Sequence, residues 1–335
     1  MPRVPSAHRA ANFGMSARCA SLRHSWILCA LVLGLCADAN HTEAQTKAQR
    51  LPSYSFTVSV DEVSLTFHAA DAHGLPVNDL KLDELSVLDN GRSPRRIVAF
   101  HSLRDFPIRA GILIDTSRSM QEYISRNRAI SIEYAQRLLR QRTDQAFVID
   151  FDSQSAVVQP WTSDAVALTA GIRRLTADGQ SRTSGTAIFD SIYRACFNQF
   201  RTLDSTDSGN FILLFTDGED NASRTSLDEA VAMCQRTNTA IYIFRAEPET
   251  GFSTGSRTLA ELASKSGGRV FYDDDSDAAI YSDLQIIEAN LRNQYCLVYT
   301  PAELKRDGSF HRVELETPQR VVSIAIRAGY YAPRH

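Results

Sequence analysis

Four short apolar runs constrain this chain most: Ile112–Ile114, Phe147–Phe151, Phe211–Phe215 and Ile241–Phe244. Apart from Asp150, each is continuous rather than alternating, the pattern of a strand buried on both faces. Val270–Tyr272 reads as a further strand. Helical patterns lie between the runs. Ile132, Ala135, Leu138 and Leu139 fall on one face of one helix, and Phe189, Ile192 and Cys196 on one face of another. Residues 227–234 and 259–263 give two more. Strand–helix alternation repeated this often predicts an α/β fold, a doubly wound and mostly parallel sheet covered by helices, over residues 108–293.

The flanks have a different period. In 53–103, Phe56, Val58 and Val60 alternate with polar residues, and Val63, Leu65 and Phe67 resume after a break at Asp61-Glu62. Asp89-Asn90-Gly91 is a tight-hairpin signal, because Asn and Gly tolerate positive φ. In 294–332, Cys296, Val298 and Thr300 alternate with Leu297 and Tyr299, and Val322, Ile324 and Ile326 alternate likewise. Neither flank is large enough for a core of its own. The expectation is that the N- and C-terminal β segments pair into a small β module with the α/β domain inserted between them.

Trp26–Ala37 is uncharged, follows Arg3, Arg9, Arg18 and Arg23, and is followed by Ala37-Asp38-Ala39. A basic start, a short apolar middle and a small-x-small exit predict a signal peptide over 1–39. The run falls short of the roughly 18–20 residues of a membrane helix, so no transmembrane span is expected in the mature chain. Residues 40–52 read as a polar linker. The protein is thus expected to be exported, to the periplasm or the extracellular space. Losing 1–39 shifts the net charge from −3 to about −6, the opposite of the basic surplus a nucleic-acid binder carries. Of six cysteines, Cys196, Cys234 and Cys296 remain. An odd trio allows at most one bridge, and Cys196 and Cys234 read most simply as small buried apolar residues.

Ligands of open parallel sheets bind beyond the carboxyl ends of the strands. There the sequence places Asp115-Thr116-Ser117-Arg118-Ser119 after the first buried strand and Thr216-Asp217-Gly218-Glu219-Asp220 after a later one, with Ser184-Gly185-Thr186 opening the helix of Phe189 and Ile192. Two carboxylates and three hydroxyls supply hard oxygen ligands only. They suit Mg²⁺ first, with Mn²⁺ and Ca²⁺ compatible. An ion held mainly by neutral hydroxyls keeps much of its charge and draws an anionic oxygen from outside. A partner protein presenting an Asp or Glu would supply it, with no bond made or broken.

These residues carry a resemblance. Asp115-x-Ser117-x-Ser119, Thr186 at a helix start and Thr216-Asp217-Gly218, in this order, resemble the metal-ion-dependent adhesion site (MIDAS) of von Willebrand factor type A (VWA) domains. Val87–Gly91, Asn293–Tyr295 and Ala328–Tyr331 are similar to segments of bacterial secreted VWFA-related proteins. The resemblance implies metal-site roles for Asp115, Ser117, Ser119, Thr186 and Asp217, and a non-enzymatic adhesion or protein-binding function. Arg118 stands where the family often has Gly. With Glu219 it is a candidate for the ligand mouth.

Enzyme readings fare worse. None of the eight histidines lies within 108–293, so the rim has no local imidazole for general-base or zinc duty. A nucleophile elbow and a phosphate-binding loop are absent from the sequence. A Mg²⁺-dependent phosphohydrolase with Asp115 as nucleophile would place a second Asp two residues on, where this chain has Ser117. The remaining alternative is an envelope scaffold whose metal only stabilises loops.

Overall fold

Burial on both faces makes the apolar runs the centre of the fold. In chain order the elements are β1 (Val63–Ala70), β2 (Ser86–Asp89), β3 (Arg96–Ser102), β4 (Ile108–Asp115), α1 (Ile124–Leu138), β5 (Gln145–Phe151), β6 (Ser155–Thr162), α2 (Ala165–Arg173), α3 (Ile188–Arg194), β7 (Gly209–Thr216), α4 (Leu227–Arg236), β8 (Thr239–Arg245), α5 (Thr254–Ser266), β9 (Val270–Tyr272), α6 (Asp277–Arg292), β10 (Gln294–Thr300), β11 (Phe310–Glu316), β12 (Ser323–Ile326) and β13 (Gly329–Tyr331). This computed structural model describes residues 61–103, 107–139, 143–177, 185–201, 209–246, 254–272 and 277–333. The signal and linker expected over 1–52 and the strand at Phe56–Val60 lie outside the described residues. Among those described, no helix is long and apolar enough to cross a membrane.

The central sheet has the order β6-β5-β4-β7-β8-β9. All neighbours are parallel except β5 and β6. The chain starts in the middle at β4, steps outward to β5 and β6, then returns to β7 on the other side. The switch point therefore lies between β4 and β7, where ligands of such sheets bind. Two apolar layers sandwich the sheet. Ile112 and Ile114 pack with Tyr134, Leu168, Ile172 and Leu291 on one side. Leu113 packs with Ile192, Cys196, Val231 and Leu262 on the other.

Around this layer, β12-β1-β10-β3 and β13-β11-β2 form two antiparallel sheets. Leu65, Phe67, Val87, Tyr295, Leu297, Tyr299 and Val313 share one core. A buried carboxylate, Asp89, ties its strands together: it accepts hydrogen bonds from Tyr299 Oη (2.9 Å) and Tyr330 Oη (2.7 Å), and its other oxygen meets His311 Nδ1 at 2.8 Å. Asn90 and Gly91 take φ of 50° and 73° in the two-residue turn that follows, the conformation those residue types allow at lowest cost.

The cysteine expectation is corrected here. Cys196 and Cys234 form a disulfide, 38 residues apart in sequence. Cys196 lies in the helical stretch continuing α3, and Cys234 in α4. Helical periodicity shows each as buried, but not that their two helices are neighbours. Closing a loop of this size stabilises by about 2–4 kcal/mol. Cys196→Ala/Cys234→Ala is expected to lower the denaturation free energy by that amount, and reductant should lower wild type but not the variant.

Candidate metal and ligand site

β4 carries its apolar run straight into Asp115, which has no exposed surface. Its neighbour β7 pairs Ile114 with Phe215, so the next register step sets Asp115 beside Thr216. Thr216 Oγ1 donates to Asp115 Oδ2 at 2.7 Å, and the Ser117 amide donates to Oδ1 at 2.9 Å. Burial pushes the Asp115 carboxyl up to about 7; the Ser117 and Thr216 hydrogen bonds oppose the shift, and the charge of Asp217 adds to it. The two carboxylates therefore share one neighbourhood. Asp217 is also buried, and its Oδ1 accepts from the Glu219 amide at 3.1 Å.

Ser117 Oγ and Ser119 Oγ are 3.2 Å apart on the turn after β4. Thr116 anchors that turn to β5, its amide donating to the Phe151 carbonyl at 2.8 Å. Ser117 is buried, whereas Arg118 and Ser119 are exposed, as is Glu219 on the facing loop.

Thr186 reaches the rim by another route. Its amide donates to Asn221 Oδ1 at 2.8 Å, and its carbonyl accepts from the Asn221 and Ala222 amides at 3.1 Å each. Gly185 has φ of +125°, and a β-carbon there would sit 2.8 Å from Asn221 Oδ1. Only glycine allows this approach. The adjacent Ala187 amide donates to the Asp152 carbonyl at 2.7 Å. The hydrogen bonds thus join Asp115, Ser117 and Ser119, and the field of Asp217 reaches Asp115. The Thr186 side chain makes no hydrogen bond to these four; Asn221 sets its backbone on the same rim.

Three residues that the motif reading did not assign hold this arrangement. Thr216 fixes the Asp115 carboxylate, and Asn221 fixes Thr186. Asp220 is half-buried, accepting from the Phe189 amide at 3.0 Å and from Ser223 Oγ at 2.7 Å. The sequence signal for Thr216 was its place directly before Asp217. Asn221 and Asp220 carried none beyond a polar loop.

Among the described residues, no three His, Cys, Asp or Glu side chains gather as a metal cluster. The set here has two carboxylates, the rest of its oxygens being hydroxyls. Its chemistry fits a hard divalent cation. Neither Asp115 nor Asp217 has a basic partner among the described residues. Two neighbouring buried acids without a countercharge are costly, and a cation would relieve that cost.

Residues 111–285 match the family model of the von Willebrand factor type A domain. No curated protein matches the chain. Similar solved structures include the conserved hypothetical protein BatB from Bacteroides thetaiotaomicron, at 18% identity over 54% of this chain and 97% of that one, with a TM-score of 0.43. Proximal thread matrix protein 1 from the mussel byssus, with a zinc-occupied MIDAS motif, is 17% identical over 56% of this chain and 48% of that one, with a TM-score of 0.44. A von Willebrand factor type A protein from Catenulispora acidiphila is 13% identical over 81% of this chain and 72% of that one, with a TM-score of 0.43.

Proposed function

Because this chain belongs to the von Willebrand factor type A domain family, whose domains are generally interaction modules rather than enzymes, we propose that it binds a partner protein through a divalent cation. Asp115, Ser117, Ser119, Thr186 and Asp217 hold the cation, Mg²⁺ first, with Mn²⁺ and Ca²⁺ served by the same oxygens. When bound, the cation supplies a positive centre that an Asp or Glu of the partner completes. The observation that supports this most is the pair of buried acids at the sheet's switch point, with no basic partner among the described residues. The residues of this chain do the rest. Thr216 and the Ser117 amide orient Asp115. Asn221 holds the Thr186 segment. Arg118 and Glu219, both exposed, flank the mouth and contact the partner around its acidic residue.

The disulfide supports an exported protein, since such bridges persist in oxidising compartments. We place the mature protein in the periplasm or outside the cell after loss of a signal at 1–39. A linker over 40–52 leads to a VWA domain (108–293) set between β segments 53–103 and 294–332, which form one module.

The test is capture of partners from the producing cells on the immobilised full chain. Proteins retained with Mg²⁺ are expected to elute with chelator, and to fail to rebind once their carboxyl groups are blocked with carbodiimide and glycinamide. Retention that survives both treatments would overturn the mechanism.

A further inference from the structure

Away from the switch point, the C-terminal end of α4 meets β1, β10 and the segment after β12 around a cavity of about 420 Å³. That volume lies within the range of small-molecule sites. Its wall is apolar at Leu103, Val298 and Leu304, and charged at Arg236, Arg327 and Glu62.

Arg327 is the unusual member. It is only 8% exposed. Its guanidinium donates to the Ser64 carbonyl at 2.6 Å and the Gln235 carbonyl at 3.3 Å, while its Nε is buried with no partner. No carboxylate among the described residues pairs with it. Glu62, the carboxylate on the wall, faces Arg96 at 3.4 Å. A buried cation held by two neutral carbonyls is left with an unmet charge and an unmet donor. An anion in the adjoining cavity would meet that charge, and the planar guanidinium of Arg suits a carboxylate. Arg236 on the same wall adds charge of the same sign.

We propose that this cavity is a second binding site, independent of the cation site, that takes a small organic carboxylate: the acid group on Arg327 and an apolar body against Leu103, Val298 and Leu304. Neither the Asp115 nor the Asp217 loop contributes to it.

The probe is 1-naphthoate, titrated calorimetrically into the full chain, with neutral 1-naphthamide and inorganic phosphate as comparisons. Naphthoate is expected to bind at least tenfold more tightly than either, in chelator as well as in Mg²⁺. Arg327→Met should weaken naphthoate at least tenfold. Should that variant fail to fold, Ala232→Phe decides: Ala232 lines the cavity on α4 and is partly exposed, so a larger side chain fills the space while Arg327 stays. Loss of naphthoate binding with an unchanged melting temperature supports the site. Undiminished binding in either folded variant, equal binding of naphthamide, phosphate as strong as naphthoate, or no binding at millimolar naphthoate overturns it.

Discussion

Asp115→Asn is expected to abolish stabilisation by divalent cations and, in chelator at pH 8, to raise the melting temperature above that of wild type. The opposite signs follow from where Asp115 sits. Its carboxyl, buried and beside Asp217, is pushed up to about 7 from an ordinary value of 3.8. An acid whose value is raised by folding costs stability as pH climbs from about 4 to about 7, because the unfolded chain releases the proton first. Above pH 7 without a cation the full penalty is present, on the order of 4 kcal/mol. Asn keeps the acceptor for the Ser117 amide and offers its own amide to Thr216 Oγ1, yet carries no charge. The penalty then disappears, along with the reason for a cation to bind. Melting curves of both proteins at pH 5 and pH 8, in chelator and in Mg²⁺, check this. A variant that is equally destabilised at both pH values in chelator would show that Asp115 serves packing alone.

The second large effect lies where α5 turns into β9. Gly268→Ala is expected to cost on the order of 4 kcal/mol and to leave the soluble yield low. A β-carbon at Gly268 would stand 1.9 Å from the Ile241 carbonyl oxygen and 2.4 Å from its carbon. Ile241 belongs to β8, in hydrogen-bonded register with both β7 and the segment before β9, so its backbone has nowhere to retreat. Gly74→Ala is the control. Gly74 has φ of +75° but nothing within 4 Å of an added β-carbon, so it should cost only about 1 kcal/mol, the price of the backbone conformation. Urea denaturation of the two variants side by side separates a steric clash from a dihedral preference. Equal losses would contradict the argument.

What the sequence made legible was whatever one element decides for itself. Ile112–Ile114 and Phe211–Phe215 are buried on both faces and lack polar residues, so they announce central parallel strands. Their ends then locate the Asp115 and Asp217 loops. The β6 strand did not announce itself. It is an antiparallel edge with Val157 44% exposed and Pro160 near its end, so it has neither a continuous run nor a clean alternation. The tail strand β10 reads as alternating, but is buried from Gln294 through Tyr299, because Tyr295, Leu297 and Tyr299 pack into one cluster and Cys296 and Val298 into another with Leu103. Partnerships between distant segments were equally invisible: Cys196 with Cys234, Asp89 with Tyr299, Tyr330 and His311, and Asn221 with Thr186. In each case the residue type is ordinary and the meaning comes from a neighbour that only topology supplies.

The cation site proposed for the two buried acids and their neighbouring hydroxyls can be titrated. Electron paramagnetic resonance of Mn²⁺ titrated into the full chain at pH 8 tests it most directly. About one strong site per chain is expected, displaced by Mg²⁺ and missing from both Asp115→Asn and Asp217→Asn. Strong Mn²⁺ binding that survives in either variant, or none in wild type, would contradict it.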